Sequence, residues 1–415
     1  MKGKMKKKNV VLLLGRGTEG CGVTKFTLEQ NRWLTENGYT TTIYSLSDKT
    51  WTRKDAHDNT CIELVKFKDD VVCDKVIEAC NKADYVLVNS LPSKGHPPEA
   101  IKNFARLLKS LKVPMVLVQL DHMSASIARN ECLNEAIDAA KVLFSLSPTN
   151  DFGEYVIDYK GVGQLSSFFG DDEVEIFDFQ PGCYFDTIRD KYWKDIKEQD
   201  SKRHCLPCRT TSWKGYNQMF SFHENYLRAH ACLTMLEGIE RSPAYLGFKE
   251  IGPFEGHIQK DDSPLTVDLS TKYGAELQVF GPYVQADMLE RMSKTAFGYQ
   301  QTIFKQRYLA RALEYTHCEV VAVGALPVFR EDFGRRCHHR ISGLPLTECK
   351  DTGTVWLSET HEDMVTAFLL IKKLEKDLKM RDEWRHMAYE FYKGHQDANF
   401  TFAEMIATAE AKIAS

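Results

Sequence analysis

The segment Tyr308–Phe329, YLARALEYTHCEVVAVGALPVF, restricts the folds open to this chain more than any other stretch. Leu309, Ala312, Leu313, Thr316, Val320 and Val323 recur at spacings of three and four, which predicts a helix from Tyr308 to about Val323. Gly324 stops that helix, and Leu326-Pro327-Val328-Phe329 starts an apolar strand. A helix handing over to a buried strand is the building unit of an α/β protein. Glu314 and Glu319 sit on this mostly apolar helix, close to Gly324. Burying a carboxylate is costly unless something pairs with it. Either both acids line a solvated face, or at least one of them serves a ligand.

The chain opens in the same style. Val10–Leu14 reads as a buried strand, Gly15-Arg16-Gly17-Thr18-Glu19-Gly20 matches G-x-G-x-x-G, and a helix follows from about Val23 to Asn37. Gly38 caps it and Thr40–Ser45 gives a second strand. Such glycines let backbone N–H groups approach an anion at a helix N-terminus. As a dinucleotide fingerprint the match is weak, because no acid ends the second strand; Asp48 comes later, after a Ser-rich turn. Further alternation predicts a strand at Tyr85–Asn89, a helix over Pro98–Leu111 and a strand at Pro114–Gln119 that runs into Leu120-Asp121-His122. Ligands gather outside the carboxyl ends of such strands, so Asp121 and His122 are placed for chemistry. Asp121 also suits the N-cap of a following helix over Ser124–Asn130. Lys141–Leu146 adds another strand.

At 415 residues the chain exceeds what one core normally fills, which predicts two domains. No apolar run approaches the ~20 residues of a membrane span, and Val10–Leu14 is too short for a signal-peptide core. The 12 cysteines are therefore expected as reduced thiols in cytoplasm. His204-Cys205-x-x-Cys208 has its would-be partners, Cys337-His338-His339, far downstream and without ligand spacing, so no metal is expected. A net charge of −4 means that any nucleic-acid contact must use a local basic patch. The densest such cluster past the N-terminus is Arg335-Arg336-x-x-x-Arg340 with His338 and His339, which reads equally as an exposed loop.

Between these landmarks, residues 150–180 are loop-rich, and a charged segment, Lys191–Arg203, leads into the second half. There Arg209 and Lys214 flank a Thr/Ser/Trp loop. A planar guanidinium beside a mobile ammonium suits a diphosphate. Met219–His230, Met288–Ser293, His361–Leu378 and Glu383–His395 read as helices, and Val279–Val284 as a strand ending in a turn.

Several of these blocks carry a family resemblance. Glu319–Val328 resembles the block of retaining GT-B glycosyltransferases whose Glu holds the ribose of a nucleotide-sugar donor. Gly17–Phe26, Arg209–Tyr216, Leu236–Pro243 and Met288–Lys294 resemble the DNA α-glucosyltransferases of T-even bacteriophages, and the likeness runs from about residue 10 to about residue 405. It implies an α/β, GT-B type fold: two Rossmann-like domains facing across a deep cleft. The expected division is 1–180 for an acceptor (DNA) domain, 181–380 for a donor domain and 381–415 for a C-terminal helix returning to the first.

The resemblance also implies a reaction, transfer of a sugar from a UDP-sugar to 5-hydroxymethylcytosine in duplex DNA with retention, which protects phage DNA from restriction. An acceptor atom inside a duplex must flip out to be reached. By resemblance Asp121 and His122 are catalytic. Arg209, Lys214 and the loop Gly20, Cys21, Gly22, Val23 hold the diphosphate. Glu314, Glu319, Leu120, Glu237 and Arg241 face ribose and sugar, and Tyr283 and Val284 face uracil. Arg129, Arg335 and Arg336 are the expected DNA contacts. Leu120 replaces a family His, which makes a pentose donor, arabinose, the alternative to glucose. No cofactor is implied beyond the co-substrate UDP-sugar, and no membrane. Phage replication proteins are a further partner class, in the cytoplasm of the infected host. Two rivals remain: a nicotinamide oxidoreductase, opposed by the missing acid and by Arg209/Lys214, and a non-catalytic DNA-binding module.

Overall fold

The computed structural model describes residues 8–15, 22–46, 63–65, 70–92, 97–120, 140–145, 176–205, 244–246, 265–268, 276–279, 285–300, 313–357 and 361–415. The chain divides into two compact units. Unit 1 comprises Met1–Gly182, Arg307–Ala312 and Ala398–Ser415; unit 2 comprises Cys183–Gln306 and Leu313–Asp397.

Unit 1 is built on a sheet of β1 (Asn9–Leu14), β2 (Thr40–Leu46), β3 (Glu63–Val65), β4 (Tyr85–Asn89), β5 (Met115–Gln119), β6 (Ala140–Ser145) and β7 (Ile176–Asp178), interleaved with α1 (Gly22–Glu36), α2 (Asp70–Asn81) and α3 (Pro98–Lys109). The strands lie in the order β3-β2-β1-β4-β5-β6-β7, every neighbouring pair parallel. Their sequences, such as VVLLL and YVLV, are near-continuous apolar runs because both faces are covered. Alternate residues Val11, Leu13, Val86, Val88, Met115 and Leu117 join Cys73, Val76, Phe104 and Leu108 of α2 and α3 in one core.

Unit 2 repeats the plan. Its strands are β8 (Asp200–Cys205), β9 (Ala244–Leu246), β10 (Leu265–Asp268), β11 (Glu276–Val279), β12 (Thr295–Gln300), β13 (Leu326–Arg330) and β14 (Val355–Leu357). Its described helices are α4 (Phe185–Tyr192), α5 (Gln285–Ser293), α6 (Tyr315–Ala322), α7 (Glu331–Arg336), α8 (His361–Lys376) and α9 (Leu378–Gln396). The order is β10-β11-β9-β8-β12-β13-β14, parallel except for the β10–β11 pair at one edge. Both sheets are Rossmann-like. Each reverses its winding beside its first strand, between β1 and β4 and between β8 and β12. That is the place where doubly wound sheets bind ligands.

The last helix, α10 (Ala398–Ala414), belongs to unit 1. Phe402 packs edge-on against Phe26 of α1, with ring centroids 5.4 Å apart. At its far end Glu410 accepts from Tyr39 Oη at 3.0 Å and pairs with Lys8 Nζ at 2.6 Å. The segment expected to return, from 381, starts instead at Ala398: α9 stays with unit 2, where Tyr389 and Lys393 both bond Asp186 of α4.

Candidate active site

At the carboxyl edge of unit 1 the ends of three strands are laced together. Ser90 follows β4 with φ +62°, a left-handed conformation uncommon for a residue with a β-carbon. The cause is visible in its hydrogen bonds. Its N–H donates to Val118 O of β5 at 2.8 Å, while its own carbonyl accepts from Gly15 N after β1 at 3.0 Å. β5 and β1 flank β4 on opposite sides. A residue in regular strand conformation sends its N–H and C=O to the same side, so Ser90 must leave that conformation to reach both. Gly15 is glycine for a related reason: a β-carbon there would lie 2.4 Å from Ser90 O. The Ser90 hydroxyl also accepts from Leu120 N at 3.3 Å. Next to it, fully buried Asn89 donates through Nδ2 to Thr27 Oγ1 at 2.9 Å and Gln30 Oε1 at 2.8 Å, both on α1.

Unit 2 presents side chains at the corresponding edge. Glu319 on α6 is buried, and its Oε1 accepts from Gln285 Nε2, at the start of α5, at 2.5 Å. Gln300, the last residue of β12, donates to Thr316 Oγ1 in the first turn of α6. Glu314 is the N-cap of α6, with φ −71° and ψ 157°; its carboxylate takes the His317 N–H, and His317 Nδ1 accepts the Glu314 N–H at 3.1 Å. This reciprocal pair closes a capping box. Buried Arg330 ends β13 at the same edge. Behind α6, Gly324 has φ +80°, and its carbonyl accepts from Gln199 Nε2 at 2.8 Å.

The described part of the expected 308–323 helix starts at Tyr315, and Glu314 is extended rather than helical. Its carboxylate takes part in the capping box that opens α6. Glu319 is the buried acid that the pattern anticipated. Gly22 and Val23 open α1, and Leu120 follows β5, half-buried. Arg335 is exposed and pairs with Glu331 at 2.5 Å; Arg336 ends α7. Gly20, Cys21, Asp121, His122, Arg129, Arg209, Lys214, Glu237, Arg241, Tyr283 and Val284 lie outside the described residues. His204 and Cys205 point to opposite faces of β8. His204 stacks on Phe297 and bonds Tyr299 Oη at 2.9 Å, whereas Cys205 Sγ meets Thr295 Oγ1 at 3.4 Å. One zinc set cannot draw on both. His204 Nε2 also lies 3.6 Å from buried Glu375. Burial pushes the Glu375 carboxyl up, but His204 and Lys372, the latter at 2.7 Å, outweigh it and hold the group down at about 2.

Ser90, Asn89, Gln285, Gln300 and Arg330 were not anticipated. Each is a polar residue at the end of an apolar strand or the start of a helix, and that position is the one signal the sequence offered.

Two Rossmann-like sheets, each with polar groups at its carboxyl edge, are the architecture shared by GT-B glycosyltransferases. The family model for DNA alpha-glucosyltransferase matches residues 21–379. The DNA alpha-glucosyltransferase of Enterobacteria phage T4 is 38% identical over 402 residues, covering 95% of this chain and 98% of that one. A solved alpha-glucosyltransferase in complex with UDP-glucose and DNA containing an abasic site superposes with TM-score 0.77 at 32% identity, covering 98% of this chain and all of the other. Another, with UDP and a 13-mer DNA containing an HMU base, superposes equally well at 31% identity over 99% of this chain and 100% of that one. The chain belongs to the DNA α-glucosyltransferase family.

Proposed function

We propose that this protein transfers glucose from UDP-glucose to 5-hydroxymethylcytosine in duplex DNA, with retention at the anomeric carbon. The observation that carries the reading is family membership over almost the whole chain, together with relatives solved with UDP-glucose and with DNA.

In this reading unit 1 takes the DNA and unit 2 the nucleotide. Glu319, already oriented by Gln285, receives the ribose hydroxyls as a charged acceptor. Tyr283 and Val284 face the uracil, and Glu237 and Arg241 the sugar. Arg209, Lys214 and the amides of Gly20, Cys21, Gly22 and Val23 stabilise the charge that builds on UDP as the glycosidic bond breaks. Asp121 accepts the proton of the acceptor hydroxyl or orients it, with His122 beside it. Arg129, Arg335 and Arg336 meet phosphates, and the target base leaves the stack. The site of action is the cytoplasm of the infected host, in company with phage replication proteins.

The test is to incubate the protein with hydroxymethylated duplex DNA and a panel of UDP-sugars, then digest to nucleosides for mass spectrometry. α-Glucosylated 5-hydroxymethyl-2′-deoxycytidine is expected. A pentosylated product would reassign the donor, and unmodified DNA with every sugar would overturn the reading.

A further inference from the structure

We propose that the dipeptide Asn89-Ser90 is a positioning element for the transfer reaction, fixing the start of the segment that bears Asp121 against the loop that follows β1. The inference rests on the catalytic reading of Asp121 given above. Its observations come from unit 1 alone. Ser90 bonds three partners on two neighbouring strands: Val118 O, Gly15 N and, through its hydroxyl, Leu120 N. Leu120 directly precedes Asp121. Gly15 opens the glycine-rich loop that leads to Gly20–Val23. Asn89 spends both Nδ2 protons on Thr27 and Gln30 of α1, the helix which that loop enters.

Nothing about the fold of a parallel strand demands this arrangement. A strand end can finish in ordinary extended conformation, its carbonyl satisfied by water. Here the backbone turns over at Ser90, at a fully buried position, and the turn brings the ends of β1 and β5 to one residue. Left-handed non-glycine residues concentrate where the surrounding structure over-determines geometry for function. A serine hydroxyl aimed at the amide beside the acid fixes where the chain leaves β5. Small displacements of a reacting group cost rate rather than affinity.

Ser90→Gly is the discriminating variant, because glycine adopts φ near +62° freely while removing the hydroxyl. It is expected to lower kcat for glucosyl transfer about tenfold, with KM for UDP-glucose within about twofold of wild type. Its thermal midpoint should match or exceed that of wild type, which excludes unfolding as the cause. The second arm repeats the substitution in an Asp121→Asn background. If Ser90 acts through Asp121, Ser90→Gly should change the residual rate by less than about twofold there. Wild-type kcat in Ser90→Gly, or the full tenfold loss persisting without Asp121, overturns the proposal. Wild-type turnover in Asp121→Asn alone removes its foundation, and is distinguishable because it needs no change at Ser90.

Discussion

The two units share a strand order yet prepare their carboxyl edges by different means. Unit 1 spends backbone geometry: Ser90 turned over, Gly15 pressed against it, and main-chain groups bonding across three strands. Unit 2 spends side chains: Gln285 on Glu319, Gln300 on Thr316 and the Glu314–His317 cap around the start of α6. A main-chain lattice holds a position, and polar side chains hold a ligand's hydroxyls and charges. Under the proposed function, the same fold used twice supplies a rigid edge for the acceptor and a hydrogen-bonding edge for the donor.

If the donor edge works through charge, its cations should matter most. Arg209→Ala and Lys214→Ala are each expected to cut turnover by a factor of ~100 or more, about 3 kcal/mol of transition-state stabilisation. DNA affinity should hold, and near wild-type turnover at saturating donor in either variant sinks the assignment.

Unit 2 also buries an ionised acid in its core, so acid should find it. The Glu375 carboxyl is held at about 2, below its ordinary 4.5. With the folded pKa depressed, its contribution is complete above pH ~4.5 and is lost as pH falls toward about 2; it amounts to about 3 kcal/mol. Denaturation series across that window should show Glu375→Gln with a flatter acid limb than wild type. Identical limbs would remove Glu375 from the account.

Next in size is Glu319→Gln, expected to weaken UDP and UDP-glucose alike by about 1.5–3 kcal/mol, since ribose is common to both. Calorimetric titration of the two ligands decides it; loss confined to UDP-glucose would move Glu319 to the sugar. The smallest effect tests whether unit 2 depends on backbone conformation at all. Gly324→Ala places a β-carbon at φ +80° and 2.9 Å from Trp193, which should cost about 1–2 kcal/mol of stability. A neutral result by chemical denaturation would mean that Trp193 yields.

What could be read from the sequence follows the same divide. β1, β4, β5 and β6 are apolar runs, and apolar runs announce themselves. β8 is DSKRHC, of which only His204 and Cys205 are buried, and it was hidden inside a charged stretch. The helical spacing around Tyr308–Val323 is real from Tyr315 onward, but spacing carries no information about a cap, and Glu314 departs from helix on account of His317. α10 lies inside the segment 381–415 expected to return to the first domain, but the sequence does not mark the break at Asp397 that leaves α9 with unit 2 and gives α10 its own buried face of Phe402, Met405, Ile406 and Ala409. Glu319 was legible as a buried acid within an apolar helix. Ser90 was not, since a φ angle set by two neighbouring strands has no trace in one residue's chemistry.

The placement of α10 has a consequence for how the protein is made. Unit 1 takes its final helix from Ala398–Ser415, after all of unit 2 has been synthesised. Its sheet can begin to assemble early, but the Phe26 face and the bonds of Tyr39 and Lys8 to Glu410 stay unmet until then. At ~5–20 residues per second that interval is on the order of ten to forty seconds. A nascent chain thus carries an exposed apolar face through most of its synthesis. A message truncated before codon 398 leaves unit 1 without its last helix, while unit 2 has all of its own residues.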